Sequence, residues 1–381
     1  MMDKVRFGIV GTGGMGSGHV NTIQKVEEAQ LTAVCDVDES AVKVHAEKLG
    51  IQAFTDYKEL IDSGLVDAVI VATPHYYHPP IAIYAMKKGK AVLSEKPMAV
   101  TVKAGDEMIK TAKKMKVPFT IMYQSRASGV YRAAHQLIED GRLGEIYRTC
   151  LFASGFRSQA YYNSAEWRGT WKGEGGGVLI NQAPHDIDIF TWLGGVPSRV
   201  IARTGTRRHI MECEDEASAM LEYPNGAIGF MHASTVEAPG TSMIEICGEK
   251  GKLTIYNGRL TFNELEMPLQ QFNDTTTNMW GSPKSTPVDV PIEQREGGHI
   301  AIIRNLARHI LYGEPLLMPG EEGINSLELI NAVILSGNKG KPVRIPVNRD
   351  EYEEFIKEMK KTTKPKSSLM KQRVTDPQHV K

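Results

Sequence analysis

The stretch that decides the N-terminal fold runs from Val5 to Asp36, with VRFGIV at 5–10, GTGGMG at 11–16 and LTAVCD at 31–36. An apolar, β-branched run enters a G-x-G-x-x-G loop, a helix-like segment follows, and an acid comes about 20 residues after the loop. The glycine motif alone is weak, because ordinary glycine-rich turns also match it. With strand, helix and distal acid all in place, it predicts a dinucleotide-binding unit.

Each glycine of the motif has a physical task in such a unit. Gly11 would permit the tight turn, Gly13 would let the backbone approach a pyrophosphate, and Gly16 would let the helix pack closely on the strand. The helix start would offer free N–H groups and a positive dipole end to the phosphates. The loop residues expected to bind the cofactor are Gly11, Thr12, Gly13, Gly14, Met15 and Gly16.

Asp36 bears on which dinucleotide is bound. Its carboxylate should accept hydrogen bonds from the adenosine ribose hydroxyls and repel a 2′-phosphate, and no arginine follows it directly. NAD is therefore favoured over NADP. If Asp36 merely caps a turn, the preference stays open.

Composition excludes several function classes. The chain has 381 residues, a formal net charge of zero and an isoelectric point of about 7.2, so no basic field points to nucleic acid or an anionic membrane. No run of about 18 apolar residues predicts a membrane span, and the first residues do not resemble a signal peptide. A cytoplasmic protein is expected, with four scattered cysteines as buried free thiols. No metal site is expected, since His75-x-x-His78 has no third ligand nearby.

The first 124 residues alternate strand and helix signals. Strand-like runs lie at 5–10, 31–35, 67–72, 90–94 and 117–122, with helical patterns between them at 14–26, 39–49, 79–87 and 101–115. This order predicts a Rossmann-type, doubly wound parallel sheet over 1–124. Ligands of such sheets bind beyond the carboxyl ends of the strands.

The pattern changes after residue 125. Strand runs punctuated by hairpin turns predict an α+β domain over 125–360 with a large, mainly antiparallel open sheet. Its strands are predicted at 145–156, 198–207, 215–223, 227–236, 242–248 and 252–256, and its helices at 127–140, 178–193, 297–312, 319–337 and 349–360. One face of this sheet should remain uncovered in the subunit, which predicts a homo-oligomer. Residues 361–381 are polar and predicted to form a loose tail.

Glu95-Lys96-Pro97 follows the fourth predicted strand, where a nicotinamide ring would lie. A lysine there can hydrogen-bond a substrate hydroxyl and stabilise the negative charge that develops when the hydroxyl is oxidised. The competing interpretation is a solvated lysine at a strand end.

Asn181 and His185 lie four residues apart in a predicted helix after Gly175-Gly176-Gly177, so they should share one helical face. An imidazole titrates near neutrality and suits proton exchange with an alcohol, and an amide one turn earlier could orient it. A satisfied structural histidine is the competing interpretation, and His185 with Asp188 could equally be a pair on the helix surface.

Together these residues resemble the glucose–fructose oxidoreductase/inositol dehydrogenase (Gfo/Idh/MocA) family over roughly residues 5–347. The resemblance rests on the glycine loop, Ala72-Thr73-Pro74 with His78, Glu95-Lys96-Pro97, Trp167-Arg168, and the helix carrying His185 and Asp188. It implies a Rossmann domain, an open-sheet domain that builds dimers or tetramers, and NAD(P)-dependent oxidation or reduction of sugars, cyclitols and related polyols.

The resemblance also assigns site residues. It makes Lys96 and His185 the catalytic pair. It places Thr73, Pro74, His78, Glu95 and Gln124 beside the nicotinamide, with Gln124 also facing substrate, and Trp167, Arg168 and Lys172 at the rim of the substrate site.

One position departs from the family pattern. Polyol dehydrogenases of the family usually carry Asp four residues before the histidine, where this chain has Asn181. An amide holds no charge and relays no proton, so it would not raise the His185 pKa as a carboxylate would. Asn181 is expected to hydrogen-bond a sugar hydroxyl instead, which favours glycosides or anhydrosugars over free inositol.

The function predicted from sequence is an NAD-dependent dehydrogenase that oxidises a secondary alcohol of a sugar, glycoside, anhydrosugar or cyclitol. A competing hypothesis uses the same step transiently to cleave a glycoside by C3 oxidation, elimination and re-reduction, with no net NADH. A non-catalytic nucleotide-binding regulator is a third, opposed by the presence of Lys96 and His185. A biliverdin- or dihydrodiol-type reductase is a fourth.

Overall fold

The N-terminal unit is built on a six-stranded sheet. The structure is a computed structural model that describes residues 3–366 and 368–370. The strands are β1 (Val5–Val10), β2 (Ala29–Cys35), β3 (Gln52–Phe54), β4 (Ala68–Val71), β5 (Ala91–Ser94) and β6 (Phe119–Ile121). The helices are α1 (Gly14–Ile23), α2 (Glu39–Leu49), α3 (Tyr57–Asp62), α4 (His78–Lys87) and α5 (Val102–Met115).

Its strand order is β3-β2-β1-β4-β5-β6, and every neighbouring pair is parallel, which confirms the doubly wound sheet. Strand β3 and helix α3 were not predicted. Strand β3 has only three residues and lies at the sheet edge, where Gln52 and Ala53 are exposed, so the sequence shows no apolar run there. Helix α3 is six residues long and begins at Asp56, whose side chain accepts the Lys58 N–H.

A nine-stranded sheet forms the C-terminal part. Its strands are β7 (Ile146–Ser154), β8 (Arg199–Gly205), β9 (Glu216–Glu222), β10 (Ile228–Ser234), β11 (Ser242–Gly248), β12 (Gly251–Tyr256), β13 (Arg259–Leu265), β14 (Ser285–Val288) and β15 (Val343–Arg344). Their order is β14-β13-β12-β11-β7-β10-β9-β8-β15, and the β7–β10 pair alone among those described is parallel. The mainly antiparallel open sheet is confirmed, although β13, β14 and β15 extend it beyond the predicted strands.

The remaining helices are α6 (Gly129–Glu139), α7 (Gln159–Asn163), α8 (Val178–Asn181), α9 (Pro184–Gly194), α10 (Leu269–Thr275), α11 (Gly298–Tyr312), α12 (Gly323–Lys339) and α13 (Arg349–Lys361). The single helix predicted over 178–193 is two helices. Pro184 has no N–H to continue the first one and takes the first position of the second, where a proline is well tolerated. The prediction that Asn181 and His185 share one helical face is therefore wrong, since they lie on α8 and α9 respectively.

The first sheet ends with β6 at Ile121 and the second begins with β7 at Ile146, but the helices are not divided in the same way. Helix α11 returns to the N-terminal sheet, where Ile302, Ile303 and Leu306 join Phe7 and Ile9 in one buried cluster. Helix α5 in turn packs against α12. The N-terminal layer is thus completed by chain from beyond residue 125.

A buried ion pair joins the end of the N-terminal unit to α9. Arg126 follows β6 and donates through Nε and Nη2 to the two carboxylate oxygens of Asp188, both at 2.8 Å. Arg126 also contacts Glu322. Asp188 is fully buried, so the interpretation of Asp188 as a surface residue is wrong. Breaking such a buried pair by removing one partner typically costs about 3–5 kcal/mol.

The chain beyond α13 is not loose as far as it is described. Lys366 donates from Nζ to the backbone oxygen of Ala165 at 2.9 Å and to that of Tyr162, and the Met370 N–H donates to the Asn163 oxygen. The prediction of a loose tail is wrong for this part, because its polar groups pair with the loop around α7. Residues 371–381 of that prediction lie outside the described residues.

Three further findings concern the described residues alone. No helix there is both long and apolar enough to cross a membrane. The four cysteines are buried with free thiols. No group of three or more His, Cys, Asp or Glu side chains in this part of the chain could hold a metal ion.

Candidate active site

The glycine loop after β1 is shaped by close backbone contacts. Gly11 has φ +94°, and a Cβ there would lie 2.6 Å from the Ala72 carbonyl oxygen. A Cβ on Gly16 would lie 1.7 Å from the Gly11 oxygen. A Cβ on Gly13 would meet nothing within 4 Å, so the loop faces open space at this point. Two glycines are required by packing, and the third leaves room for a ligand.

That open space lies at the start of α1. Gly13 is the N-cap, no side chain caps the helix there, and its first turn carries no acid. An N-terminus with these properties attracts an anion. The loop and helix start therefore fit the pyrophosphate of a dinucleotide.

Asp36 lies beside the same loop, directly after β2. Its Oδ2 accepts the Thr12 N–H at 2.7 Å, and its Oδ1 accepts the Asp38 N–H at 3.0 Å. The carboxylate thus both braces the glycine loop and holds a turn. It remains partly exposed at the position where a Rossmann fold places its ribose-binding acid.

Among the described residues, two polar side-chain atoms at the carboxyl ends of the strands are buried without a hydrogen-bond partner. They are Thr73 Oγ1, which follows β4 next to Pro74, and Gln124 Oε1, which follows β6. A buried polar group left unpaired costs roughly 1–3 kcal/mol. Both therefore fit a polar ligand bound at this edge, either the nicotinamide end of a cofactor or a substrate.

His78 and Glu95 are buried side chains near the loops that follow β4 and β5. The two ring nitrogens of His78 lie 2.7 Å from the Thr73 oxygen and 2.8 Å from the Pro97 oxygen, and the side chain is fully buried. Glu95 Oε1 lies 2.7 Å from His19 Nε2. Burial opposes ionisation of Glu95, yet the hydrogen bond and charge of His19 outweigh it and hold the pKa of Glu95 below its usual value. Both side chains are buried and hydrogen-bonded beneath the loops that follow β4 and β5, and their place beside the nicotinamide stays a prediction.

Lys96 reaches from the N-terminal unit to α8. Its Nζ donates to the Asn181 backbone oxygen at 2.8 Å and to Asn181 Oδ1 at 3.3 Å. Burial lowers the pKa of the Lys96 ammonium, while the nearby Glu95 and Glu174 carboxylates oppose that shift. Lys96 is therefore a fixed donor whose proton is held less tightly than that of a solvated lysine.

Glu174 is a site residue that the sequence analysis missed. It is fully buried and accepts hydrogen bonds from Asn181 Nδ2 and the Gly169 N–H. Burial raises the pKa of Glu174. The only signal in the sequence was an acid directly before three glycines. The Glu174 carboxylate is therefore linked to Lys96 through a single residue, Asn181, whose amide hydrogen-bonds to both.

This network changes the interpretation of Asn181. Its Oδ1 accepts from Lys96, and its Nδ2 donates to Glu174 and, at 3.2 Å, to Tyr161 Oη. The expected hydrogen bond to a sugar hydroxyl finds both ends of the amide already engaged. An Asp at this position would place its carboxylate against that of Glu174, and like charges in contact repel.

Glu214 is a second residue that the analysis missed. Its Oε1 accepts the N–H groups of Gly177 at 2.9 Å and Leu179 at 3.2 Å, and so caps the start of α8. Burial raises the pKa of Glu214 to about 7. This cap fixes the short helix that ends in Asn181.

His185 lies at the start of α9, next to the end of β6. Its Nε2 is 3.4 Å from Gln124 Nε2, and its ring centroid is 5.8 Å from that of Tyr123. The structure thus brings His185 and Gln124 together although 61 residues separate them.

The rim residues are divided by the structure. Arg168 lies between the rings of Trp167 and Tyr161, and Trp167 also contacts His75 edge-on at 5.6 Å between centroids. Lys172 does not join this group. Its side chain is exposed, and its backbone N–H donates to Thr363 Oγ1.

Comparison with known proteins identifies the family. Residues 5–123 match the NAD-binding Rossmann domain of the Gfo/Idh/MocA oxidoreductase family, and residues 131–254 match the C-terminal domain of the same family. The chain belongs to the Gfo/Idh/MocA family. It is accordingly an NAD-binding oxidoreductase, as the sequence resemblance implied.

Three relatives indicate the range of the family. Myo-inositol 2-dehydrogenase of Thermotoga maritima is 25% identical over 85% of this chain and 94% of its own length. The NADP(+)-dependent scyllo-inositol 2-dehydrogenase of Bacillus subtilis is 25% identical over 90% and 97%. The crystal structure of the WlbA dehydrogenase of Bordetella pertussis with NADH and UDP-GlcNAcA is 28% identical, covers 91% of this chain and 100% of that one, and has a TM-score of 0.76.

Asp36 should set the preference between the two dinucleotides. We expect NADH to bind more tightly than NADPH, because the carboxylate repels a 2′-phosphate. Asp36→Asn should narrow the difference, since it removes the charge and keeps an oxygen for the Thr12 N–H. Asp36→Ala should in addition weaken NADH binding by about 10-fold or more, as charged hydrogen bonds are lost. Titration of intrinsic fluorescence measures each affinity, and equal binding of NADPH by the unaltered protein would contradict the assignment.

Proposed function

We propose that this protein is an NAD-dependent dehydrogenase that oxidises a secondary alcohol of a sugar, glycoside, anhydrosugar or cyclitol to a ketone. The observation that carries the proposal is the position of Lys96, a half-buried lysine just beyond the carboxyl end of β5 whose Nζ donates to Asn181. Relatives that act on inositols support the substrate class.

In the proposed mechanism Lys96 donates a hydrogen bond to the reacting hydroxyl. Its positive charge stabilises the negative charge that grows on this oxygen as the carbinol carbon is oxidised. His185 accepts the hydroxyl proton, with Gln124 orienting the imidazole. NAD, when bound, accepts the hydride.

Asn181 and Glu174 set the position and charge of Lys96. Asn181 holds the ammonium with two oxygens, and Glu174 holds the Asn181 amide from its other end. The carboxylate that the family usually carries four residues before the histidine is thus replaced by Glu174 acting through an amide. Glu174 is a positioning residue in this proposal, since it reaches the reacting atoms only through Asn181.

Removal of the ammonium tests the assignment of Lys96. Lys96→Ala should lower kcat by about 10²–10⁴, the usual contribution of a positioned acid–base group, while NADH still binds. The reaction is followed as NADH formation with a panel of sugars, glycosides and inositols. Lys113→Ala, an exposed lysine on α5, is the control. Near-normal turnover in Lys96→Ala would show that the proton chemistry lies elsewhere, and product formation without net NADH would favour transient oxidation with glycoside cleavage.

Glu174→Gln tests the network behind Lys96. The charged groups acting on Lys96 are Glu95, Glu174, Arg168 and Arg157. Because Glu174 raises the pKa of Lys96, its neutralisation should lower that pKa further. Lys96 would then lose its proton at lower pH, and the alkaline decline of kcat/KM should move to lower pH.

The shift is measured from pH profiles of kcat/KM at constant ionic strength. Glu166→Gln removes an exposed carboxylate from the same loop and should leave the profile in place. If the alkaline decline of kcat/KM in Glu174→Gln stays at the same pH or moves to higher pH, the proposed role of Glu174 is contradicted.

The proposal also includes a homo-oligomer formed through the C-terminal sheet. Helices α9 and α12 pack on one face of this sheet. On the other face Ile201, Met220 and Phe230 pair in register across β8, β9 and β10, and are 44%, 50% and 44% exposed. Contiguous exposed apolar side chains of this kind mark a contact surface. A second copy related by a two-fold axis can cover these three exposed side chains with the same three of its own.

A charge placed in that row should prevent association. Phe230→Glu would bury an unpaired carboxylate in the interface. We therefore expect the variant to be monomeric at micromolar concentration, where the unaltered protein is an oligomer. Light scattering gives the mass of each. Ile210→Glu, which alters an 81% exposed residue outside the sheet, is the control. A monomeric unaltered protein at that concentration would rule out this assembly.

A further inference from the structure

Arg168 has an unusual setting for an arginine in this protein. Its guanidinium carbon lies 4.2 Å from the centroid of the Tyr161 ring and 4.5 Å from that of Trp167, and Nη1 donates to Tyr161 Oη at 2.5 Å. No carboxylate lies within ion-pair distance of it among the described residues. Among the described residues, Arg168 Nε is also buried without a hydrogen-bond partner. A fixed guanidinium with a buried, unused donor lacks an acceptor.

The Tyr161 hydroxyl is the acceptor that Arg168 shares with two side-chain amides. Its hydroxyl oxygen receives Arg168 Nη1, Gln182 Nε2 at 3.0 Å and Asn181 Nδ2 at 3.2 Å. A hydroxyl oxygen has two lone pairs for these three donors. Turning the Gln182 amide would still leave two N–H groups directed at this one oxygen. Those two N–H groups match the two lone pairs, and Gln182 Oε1, itself buried without a partner among the described residues, would then accept the Tyr161 O–H. The donor in this cluster that still lacks an acceptor is Arg168 Nε.

The charged groups around Lys96 also bear on what the site binds. Arg168 and Arg157 both act on Lys96 as positive charges, and each lowers the pKa of Lys96 behind the larger effect of burial. Glu174 opposes them, but its own pKa is raised by burial, and its oxygens accept from Asn181 and Gly169. Arg168 and Lys96 thus lie close enough for their positive charges to act on each other, with the Glu174 carboxylate buried beside them.

We infer that the substrate carries a carboxylate, as in a sugar acid, and that Arg168 binds it. This inference rests on the proposed dehydrogenase function. A guanidinium is planar and presents paired donors that match the two oxygens of a carboxylate. The rings of Tyr161 and Trp167 hold the guanidinium flat, so little conformational freedom is lost when it binds.

The geometry also orients the substrate. Arg168 connects to Lys96 through Tyr161 and Asn181 by three hydrogen bonds. The acid group is thus placed at the Arg168 end of the pocket and the reacting hydroxyl at the Lys96 end. A neutral sugar would leave the Arg168 donor without an acceptor, and the site would select against it.

The experiment compares acid and neutral partners of the same ring. The pairs are glucuronate with glucose and galacturonate with galactose, each used as a glycoside. For each compound kcat/KM is measured, and binding to the NADH-loaded protein is measured by calorimetry. We expect the acid to be preferred by about 10- to 100-fold, as for a charged hydrogen-bonded pair. Arg168→Met, which keeps volume but not charge, should bring the ratio close to one, and Arg168→Lys should retain part of it.

Arg259→Met is the matched control, because it removes an exposed arginine on β13 and should leave the ratio unchanged. Equal binding of acid and neutral sugar by the unaltered protein would overturn the inference without recourse to any variant. A parallel loss for both partners in Arg168→Met would also overturn it, since that pattern indicates a structural role. Acid binding that depends on Arg168 without NADH formation would uphold this inference while the dehydrogenase proposal fails.

Discussion

The hydrogen bonds from Lys96 to Asn181 are the contact on which the site depends. Lys96 follows β5 of the parallel sheet, and Asn181 ends a short helix of the C-terminal part, 85 residues later. Neither domain contains the reacting centre alone. The contact is possible because Glu214 caps the short helix and because the Arg126–Asp188 pair fixes the next helix against the end of β6.

The exchange of a carboxylate for an amide at position 181 illustrates how a network tolerates change. Lys96 still has two oxygen acceptors on Asn181, and the negative charge has moved back to Glu174. A charge further from the ammonium stabilises it less. Burial lowers the pKa of Lys96, Arg168 and Arg157 add to that shift, and Glu95 and Glu174 oppose it only in part.

The two sides of the pocket differ in their chemistry. On the cofactor side, glycines supply backbone N–H groups and open space, and the buried side chains of His78 and Glu95 hold the loops. On the substrate side, Arg168 and its unpaired Nε lie in the loop that follows α7. The described part of the C-terminal segment secures this loop through Lys366, so residues distant in sequence help to shape the substrate wall.

The sequence by itself determined the parallel sheet, the open antiparallel sheet, the glycine loop and the positions of Lys96 and His185, because strand periodicity and glycine spacing are local signals. It did not reveal the break before Pro184 as a change of helix, the return of α11 to the first sheet, or the buried contacts of Glu174. Those depend on burial and on partners that lie far away along the chain. A carboxylate in a glycine-rich loop looks solvated in the sequence, and only tertiary packing removed Glu174 from water and placed it behind Asn181.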